Sequence, residues 1–252
     1  MDLLQILKHR AILFDFDGTL SLLRSGWEAV MRGFMLDCLD PTGAAHAGLA
    51  PLVDGYIAES TGIETARQMI WLAARVEERH GPWPDRDLWW YKAGYLDRLM
   101  TIVEERIALV TQNPALIPAF SVPGSHAFVQ RLAAAGCELA IASGTDDPDV
   151  RREAALLGFA PHFNLIVGSP PTRLASGKEY LLGLLLERWE PAEILVIGDG
   201  PVELRLGREA GCRTLAIASR EGDSTAAWCR KRDRLAAVTP DALLEDFATL
   251  VT

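Results

Sequence analysis

Short hydrophobic runs recur along the second half of the chain, each closed by glycine, serine, aspartate or proline and separated from the next by a helix-length amphipathic stretch. CELAIAS (137–143), NLIVG (164–168), EILVIG (193–198), RTLAIAS (213–219) and LAAVT (235–239) read as strands. The punctuation between them agrees: Asp147 with Pro148 opens a helix, Gly158 closes it, and Thr239 with Pro240 opens the last one. Strands alternating with helices in this way predict a parallel sheet of the α/β class. Near the amino terminus AILF (11–14) supplies one more strand, apolar at every position as a strand covered on both faces must be.

Residues 24–113 hold no strand pattern. Leu88, Tyr91, Tyr95, Leu99 and Ile102 fall at helical spacing, and five of the seven tryptophans (Trp27, Trp71, Trp83, Trp89 and Trp90) lie in this segment. Such an aromatic stripe is what packed helices need for a core of their own. The predicted organisation is therefore a Rossmann-like sheet core over residues 1–20 and 116–252, with an α-helical domain, 21–115, inserted after the first strand. An insertion at that point folds over the carboxyl edge of the sheet, where open α/β proteins bind ligands.

Composition narrows the class. At 252 residues and 49% hydrophobic content the chain has enough apolar surface for a substantial core. Its net charge of −9 argues against nucleic acid as a partner, and its one basic block, RKRDR (230–234), reads as a solvated helix face. No apolar run approaches the roughly 18 residues a membrane helix requires, and MDLLQILKHR is too short and too acidic for a signal peptide. The expectation is a cytoplasmic protein, monomer or homodimer, without membrane contact. Cys38, Cys137, Cys212 and Cys229 show no metal-binding spacing and are expected to be reduced and mostly packed, and the five histidines show none either.

The chemistry gathers at strand ends. FDFDGT places Asp15 and Asp17 after the first strand, IASGT places Ser143 after the second, LASGKEY places Lys178 at a helix start, and VIGDGPVE places Asp199 after the fourth. A doubly wound sheet brings such positions to one crevice. Hard oxygen ligands from Asp15 and Asp199 suit Mg²⁺, which shares its remaining positions with water and a substrate phosphate. Ser143 and Lys178 suit phosphoryl oxygens. One carboxylate of the pair can then attack phosphorus, while the other, two residues on and so on the same side of an extended strand, moves the proton.

DFDGT, then a strand-ending Ser, then a Lys, then GDG, in that order, resembles the haloacid dehalogenase superfamily. SVPGSHAFVQRLAAAGCELAIASG and ALLGFAPHFNLIVGS resemble the connecting segments of its helical-cap subgroup, which includes phosphoglycolate phosphatases and β-phosphoglucomutases. The resemblance spans nearly the whole chain. It implies a Mg²⁺-dependent phosphatase acting on a small phosphorylated metabolite, with Asp15 as nucleophile, Asp17 as general acid and base, and Ser143 and Lys178 on the phosphoryl group. It also implies a metal held by Asp15, Asp199 and the backbone carbonyl of Asp17. Gly18 and Thr19, which begin the turn toward the cap, and Gly144 complete the implied phosphate-binding set. Arg24, Trp27, Thr61, Gly62 and Gln68 fall where similar enzymes contact the rest of the substrate.

Two departures from the family pattern stand out. Glu203 occupies a place where many relatives carry a second Asp, as either a metal ligand or a helix cap, and no proline follows Lys178, which leaves Arg173 as a rival. A phosphomutase, a dehalogenase and a non-catalytic binding protein are the alternatives; the intact DFDGT and GDG argue against the second, and nothing in the five principal positions suggests the third.

Overall fold

The computed structural model describes residues 1–222 and 224–251. In chain order the elements are α1 (Leu3–Ile6), β1 (Ala11–Phe14), α2 (Trp27–Leu39), α3 (His46–Glu59), α4 (Thr65–His80), α5 (Leu88–Gln112), α6 (Ser125–Ala134), β2 (Glu138–Asp146), α7 (Asp147–Leu156), β3 (Leu165–Ser169), α8 (Gly177–Leu186), β4 (Ile194–Gly198), α9 (Pro201–Glu209), β5 (Arg213–Ile217), α10 (Thr225–Ala237), β6 (Ala242–Leu244) and α11 (Ala248–Val251).

All six strands run parallel in the order β3-β2-β1-β4-β5-β6. Strand β1 is central and buried at every position because its residues alternate between two covered faces. Ile12 and Phe14 enter the larger core with Phe128 of α6, Val150 of α7 and Leu250 of α11. Ala11 and Leu13 enter a second core with Leu181, Leu182 and Leu185 of α8. The fold is thus a parallel six-stranded α/β sheet with helices on both faces, as predicted, and among the described residues no helix is long and apolar enough to cross a membrane.

Helices α2 to α5 have an apolar cluster of their own, built on Met31, Met69, Leu72, Tyr91, Tyr95 and Val103. Tyr56 stacks on Trp71 at 3.9 Å between ring centres, so aromatic rings here cement helices together. Asp87 caps α5 by accepting a hydrogen bond from the Trp90 amide at 2.9 Å. The buried stripe of α5 runs through Tyr91, Tyr95 and Leu99 to Val103 and Val110. Ile102, assigned to it from the sequence, is 37% exposed, one position off the buried face.

The last strand differs from the sequence expectation. LAAVT is the end of α10, whose alanines continue a helical pattern, and Thr239 turns the chain in a left-handed conformation at φ 49°. The strand itself is β6, paired in register with Leu215 to Ile217. Asp241 sets its start, accepting hydrogen bonds from the Thr214 amide at 2.8 Å and from Arg213 at 2.6 Å. Thr239 and Pro240 therefore open no helix; the final one follows Asp246, which accepts from the Ala248 amide at 2.8 Å. One further shift is small: Asp146, not Asp147, is the N-cap of α7.

Phe128 is fully buried, edge-on to Phe14 at 6.2 Å and stacked on Phe247 at 4.7 Å. Phe128→Ala should cost about 3–5 kcal/mol, read as a fall in the urea midpoint with an unchanged slope.

Candidate active site

The register of the sheet explains why distant motifs meet. Phe14 pairs with Ile141 on one side and Ile197 on the other, so three adjacent strands end level. The next residues outward are Asp15, then Ala142 and Ser143, then Gly198 and Asp199. The order reverses between β1 and β4, the switch point at which open sheets bind ligands. Strand β2 continues past Ser143, but its register breaks between Ala142 and Asp146, so Ser143, Gly144 and Thr145 leave the regular ladder at the site.

Buried charge dominates the site. The Lys178 ammonium, delivered by the first turn of α8, lies 2.9 Å from Asp15 Oδ1 and 2.8 Å from Glu203 Oε2. Arg173 is exposed on the preceding loop, so Lys178 is the cation the fold brings in. Burial pushes Asp15 well above the ordinary carboxylate range; Lys178 pulls it down, and Glu203, Asp199 and Asp17 push it up. On the other side of Asp199 stands a second buried lysine. Lys231 Nζ is 2.6 Å from Asp199 Oδ2, 2.6 Å from Glu221 Oε1 and 2.9 Å from Ser219 Oγ. The basic block of α10 is thus not simply a solvated face: Arg230 and Arg232 are exposed, whereas Lys231 points inward to balance Asp199.

Asp17 is held by hydroxyls. Thr145 donates to Asp17 Oδ2 at 2.8 Å and Ser143 donates to the same oxygen at 3.2 Å, while Thr145's own amide donates to Ser143 Oγ at 3.0 Å. Asp17 Oδ1 is buried without a hydrogen-bond partner, with the Arg24 Nε 3.8 Å away. Arg24 itself is clasped by Glu153 of α7: Nε donates to both carboxylate oxygens at 3.2 and 3.1 Å and Nη2 to one at 2.6 Å. Burial lifts Glu153 to about 7 even against that guanidinium.

Glycine earns its place at two points. Gly18 sits at φ +74°, and a Cβ there would lie 2.0 Å from Asp199 Oδ2. Gly62, at φ +96°, brings the loop between α3 and α4 against Glu203 and Lys178, leaving 2.7 Å between a hypothetical Cβ and Glu203 Oε2. Glu203 itself caps α9, accepting from the Gly200 amide at 2.5 Å, so both of its oxygens are engaged.

A cavity of about 80 Å³ lies among these groups. Asp15, Asp17, Ser143, Gly144 and Asp199 line it from the edge of the sheet and Lys178 from α8, and all five positions singled out nearer the helices, Arg24, Trp27, Thr61, Gly62 and Gln68, line it too. Gly18 and Thr19 do not: Gly18 lies behind Asp199, and Thr19 is fully buried with its hydroxyl 3.5 Å from Asp15. Sequence reading missed Thr145, Tyr95 as a lining residue, Glu153 and Lys231; only the hydroxyl of SGT, next to the chosen serine, was a usable signal. A wider depression of about 590 Å³, lined by Arg10, Glu138, His162 and Arg188, opens near the amino ends of β1 to β3, away from this cluster.

Oxygens of Asp15, Asp199 and Glu203 lie within 4.8 Å of one another. Buried, mutually repelling carboxylates offering only oxygen are a donor set that fits a hard divalent cation. With Glu203 engaged twice over, the oxygens left to offer belong to Asp15 and Asp199.

The haloacid dehalogenase-like hydrolase family matches residues 9–211. The chain belongs to that family. Among solved structures it is similar to a predicted phosphoglycolate phosphatase from Haemophilus somnus (15% identity, TM-score 0.62, covering 97% of each chain). It is also similar to β-phosphoglucomutase from Clostridium difficile (10% identity, TM-score 0.61, covering 96% of this chain and 93% of that one). CbbY from Rhodobacter sphaeroides, solved with phosphate, shares the fold at 18% identity and TM-score 0.56, with 96% of each chain covered. No curated protein matches the chain significantly. In this haloacid dehalogenase-like hydrolase the aspartates of the first motif, the motif lysine and the GDG aspartate thus stand around one crevice.

Lys231→Met would leave Asp199 and Glu221 facing each other in a mostly buried site without their shared cation. It should cost about 3–5 kcal/mol in stability, measured by denaturant unfolding, which is more than the loss of an exposed lysine.

Proposed function

We propose that this hydrolase is a Mg²⁺-dependent phosphatase that cleaves a small phosphomonoester through an aspartyl phosphate. The single observation that carries the reading is the pairing of the two carboxylates with different surroundings. Asp15 is buried against an ammonium at 2.9 Å, and Asp17, two residues on, is held by two hydroxyls with one oxygen left unpartnered.

In the first step an Asp15 carboxylate oxygen bonds to phosphorus as the bond from phosphorus to the leaving oxygen breaks. The leaving oxygen takes its proton from Asp17. In the second, water attacks phosphorus, gives its proton to Asp17, and the Asp15 oxygen departs as carboxylate. Lys178 and Ser143 hold the phosphoryl oxygens, and Asp15, Asp199 and the Asp17 carbonyl would hold the cation. Magnesium, when bound, neutralises phosphoryl charge and draws the Asp15 carboxylate toward its ionised form.

The helices α2 to α5 act as a cap in this reading. Gly144 leaves only 2.8 Å between a hypothetical Cβ and the Ile63 carbonyl, and Lys92 of α5 reaches across to Asp146 at 2.6 Å and the Pro171 carbonyl at 2.9 Å. A cap this close excludes water from the first step and admits only small substrates.

Asp15→Asn should lower phosphate release from an aryl phosphate by about a thousandfold or more while leaving the circular dichroism spectrum unchanged. A chelator should abolish release and added Mg²⁺ restore it. Asp17→Asn should still form the phosphoenzyme but break it down slowly, so that label accumulates on protein. An Asp15→Asn enzyme that released phosphate at the normal rate would refute the mechanism.

A further inference from the structure

The chemistry of the leaving group is written into the wall of the cavity that does not face the phosphate. From the helical layer that wall is built of Trp27, Ile63, Tyr95 and Leu99, which are aromatic or aliphatic, with Thr61, Thr65 and Gln68 as polar members. Among the described residues no charged side chain of α2 to α5 lines it. An ionised group brought against such a wall would lose its hydration and gain no counter-charge.

The two cations that do border the cavity are already committed. Lys178 is shared between Asp15 and Glu203, and the reading above gives it the phosphoryl oxygens as well. Arg24 is tied on two of its nitrogens to Glu153, and the carboxylates of Asp149 and Asp17 lie 3.5 and 3.8 Å from it. Three carboxylates thus surround one guanidinium, which leaves little positive potential for a substrate carboxylate or a second phosphate. Polar groups with capacity to spare are neutral. Neither the Tyr95 hydroxyl nor the Gln68 carbonyl oxygen makes a hydrogen bond among the described residues, whereas the Gln68 amide nitrogen donates to Ser60. A hydroxyl and an amide oxygen beside an indole and a leucine suit an alcohol with a carbon face. The space, about 80 Å³, admits only a small one.

We infer that the substrate is the phosphate ester of a small uncharged polyol, and that esters carrying a carboxylate or a second phosphate are rejected. This rests on the proposed phosphatase reading and refines it. It sets the enzyme apart from chemistry in which the leaving group is glycolate, or in which a bisphosphate has to be bound.

The test separates recognition from turnover. Asp15→Asn enzyme with Mg²⁺, or Asp15→Ala if the first variant misfolds, is titrated calorimetrically with glycerol phosphate and with phosphoglycolate, two ligands of similar size. The assay pH is set above the value near which Glu153 ionises, so that Arg24 is fully countered. Glycerol phosphate should bind at least about tenfold more tightly, a difference of about 1.4 kcal/mol. Thr65→Lys, which adds a cation at a half-buried lining position, should erase or reverse that preference, with Thr65→Arg as its substitute if the lysine variant is unstable. Equal or tighter binding of phosphoglycolate by the enzyme without the added cation overturns the inference, and so does failure of glycerol phosphate to bind. Phosphate release by the unmodified enzyme is followed separately. Its absence alongside an intact binding preference would refute hydrolysis while upholding the assignment of a phosphate ester whose alcohol part is uncharged.

Discussion

Two buried ammonium groups shared among four carboxylates are the constraint on which the rest of the molecule depends. Lys178 bridges Asp15 and Glu203; Lys231 bridges Asp199 and Glu221. Carboxylates gathered out of water at the carboxyl edge of the sheet would repel strongly, and each bridge offsets that repulsion by placing one cation between two of them. The compensation is partial. Asp15 remains well above the ordinary carboxylate range, so the centre retains a demand for further positive charge, which a divalent cation would meet.

The helical layer is set by the same geometry. Its loop at Gly62 and Ile63 approaches so closely that glycine is needed both at 62 and, across the gap, at 144. Ion pairs help to hold it there: Lys92 with Asp146, largely buried, and Arg152 with Glu104 at the surface, while the buried pair of Arg24 with Glu153 fixes the segment leading to α2. Arg24 illustrates how one side chain is claimed by structure. It lies on the segment leading from β1 to α2, borders Asp17 and yet spends its hydrogen bonds on α7, tying that segment onto the core.

Much of this was legible in the chain because buried parallel strands are apolar at every position. AILF, ELAIAS, LIVGS and ILVIG therefore stand out, and the residues just beyond them are placed by topology alone. Asp15, Asp17, Ser143 and Asp199 reached one cavity for that reason, and Lys178 joins them from the first turn of α8. The last strand was not legible. Ala242–Leu244 is three residues at a sheet edge, whereas LAAVT, a better apolar run, belongs to a helix whose amphipathic pattern is broken by RKRDR. Lys231 was hidden by the same run, since five charged neighbours look alike until the helix docks. Thr145, Glu153 and Tyr95 were invisible for another reason: their roles are contacts across more than fifty residues of chain or between layers, and no local pattern encodes such contacts.

Locating the phosphoryl group on the protein tests the account most directly. Enzyme quenched in acid during turnover of an aryl phosphate and treated with borohydride, which reduces an acyl phosphate to an alcohol, would be digested and sequenced by mass spectrometry. The account predicts modification at Asp15, lost when the substrate is omitted. Turnover with no modified residue, or with the modification at Asp17 or Ser143 instead, would contradict it.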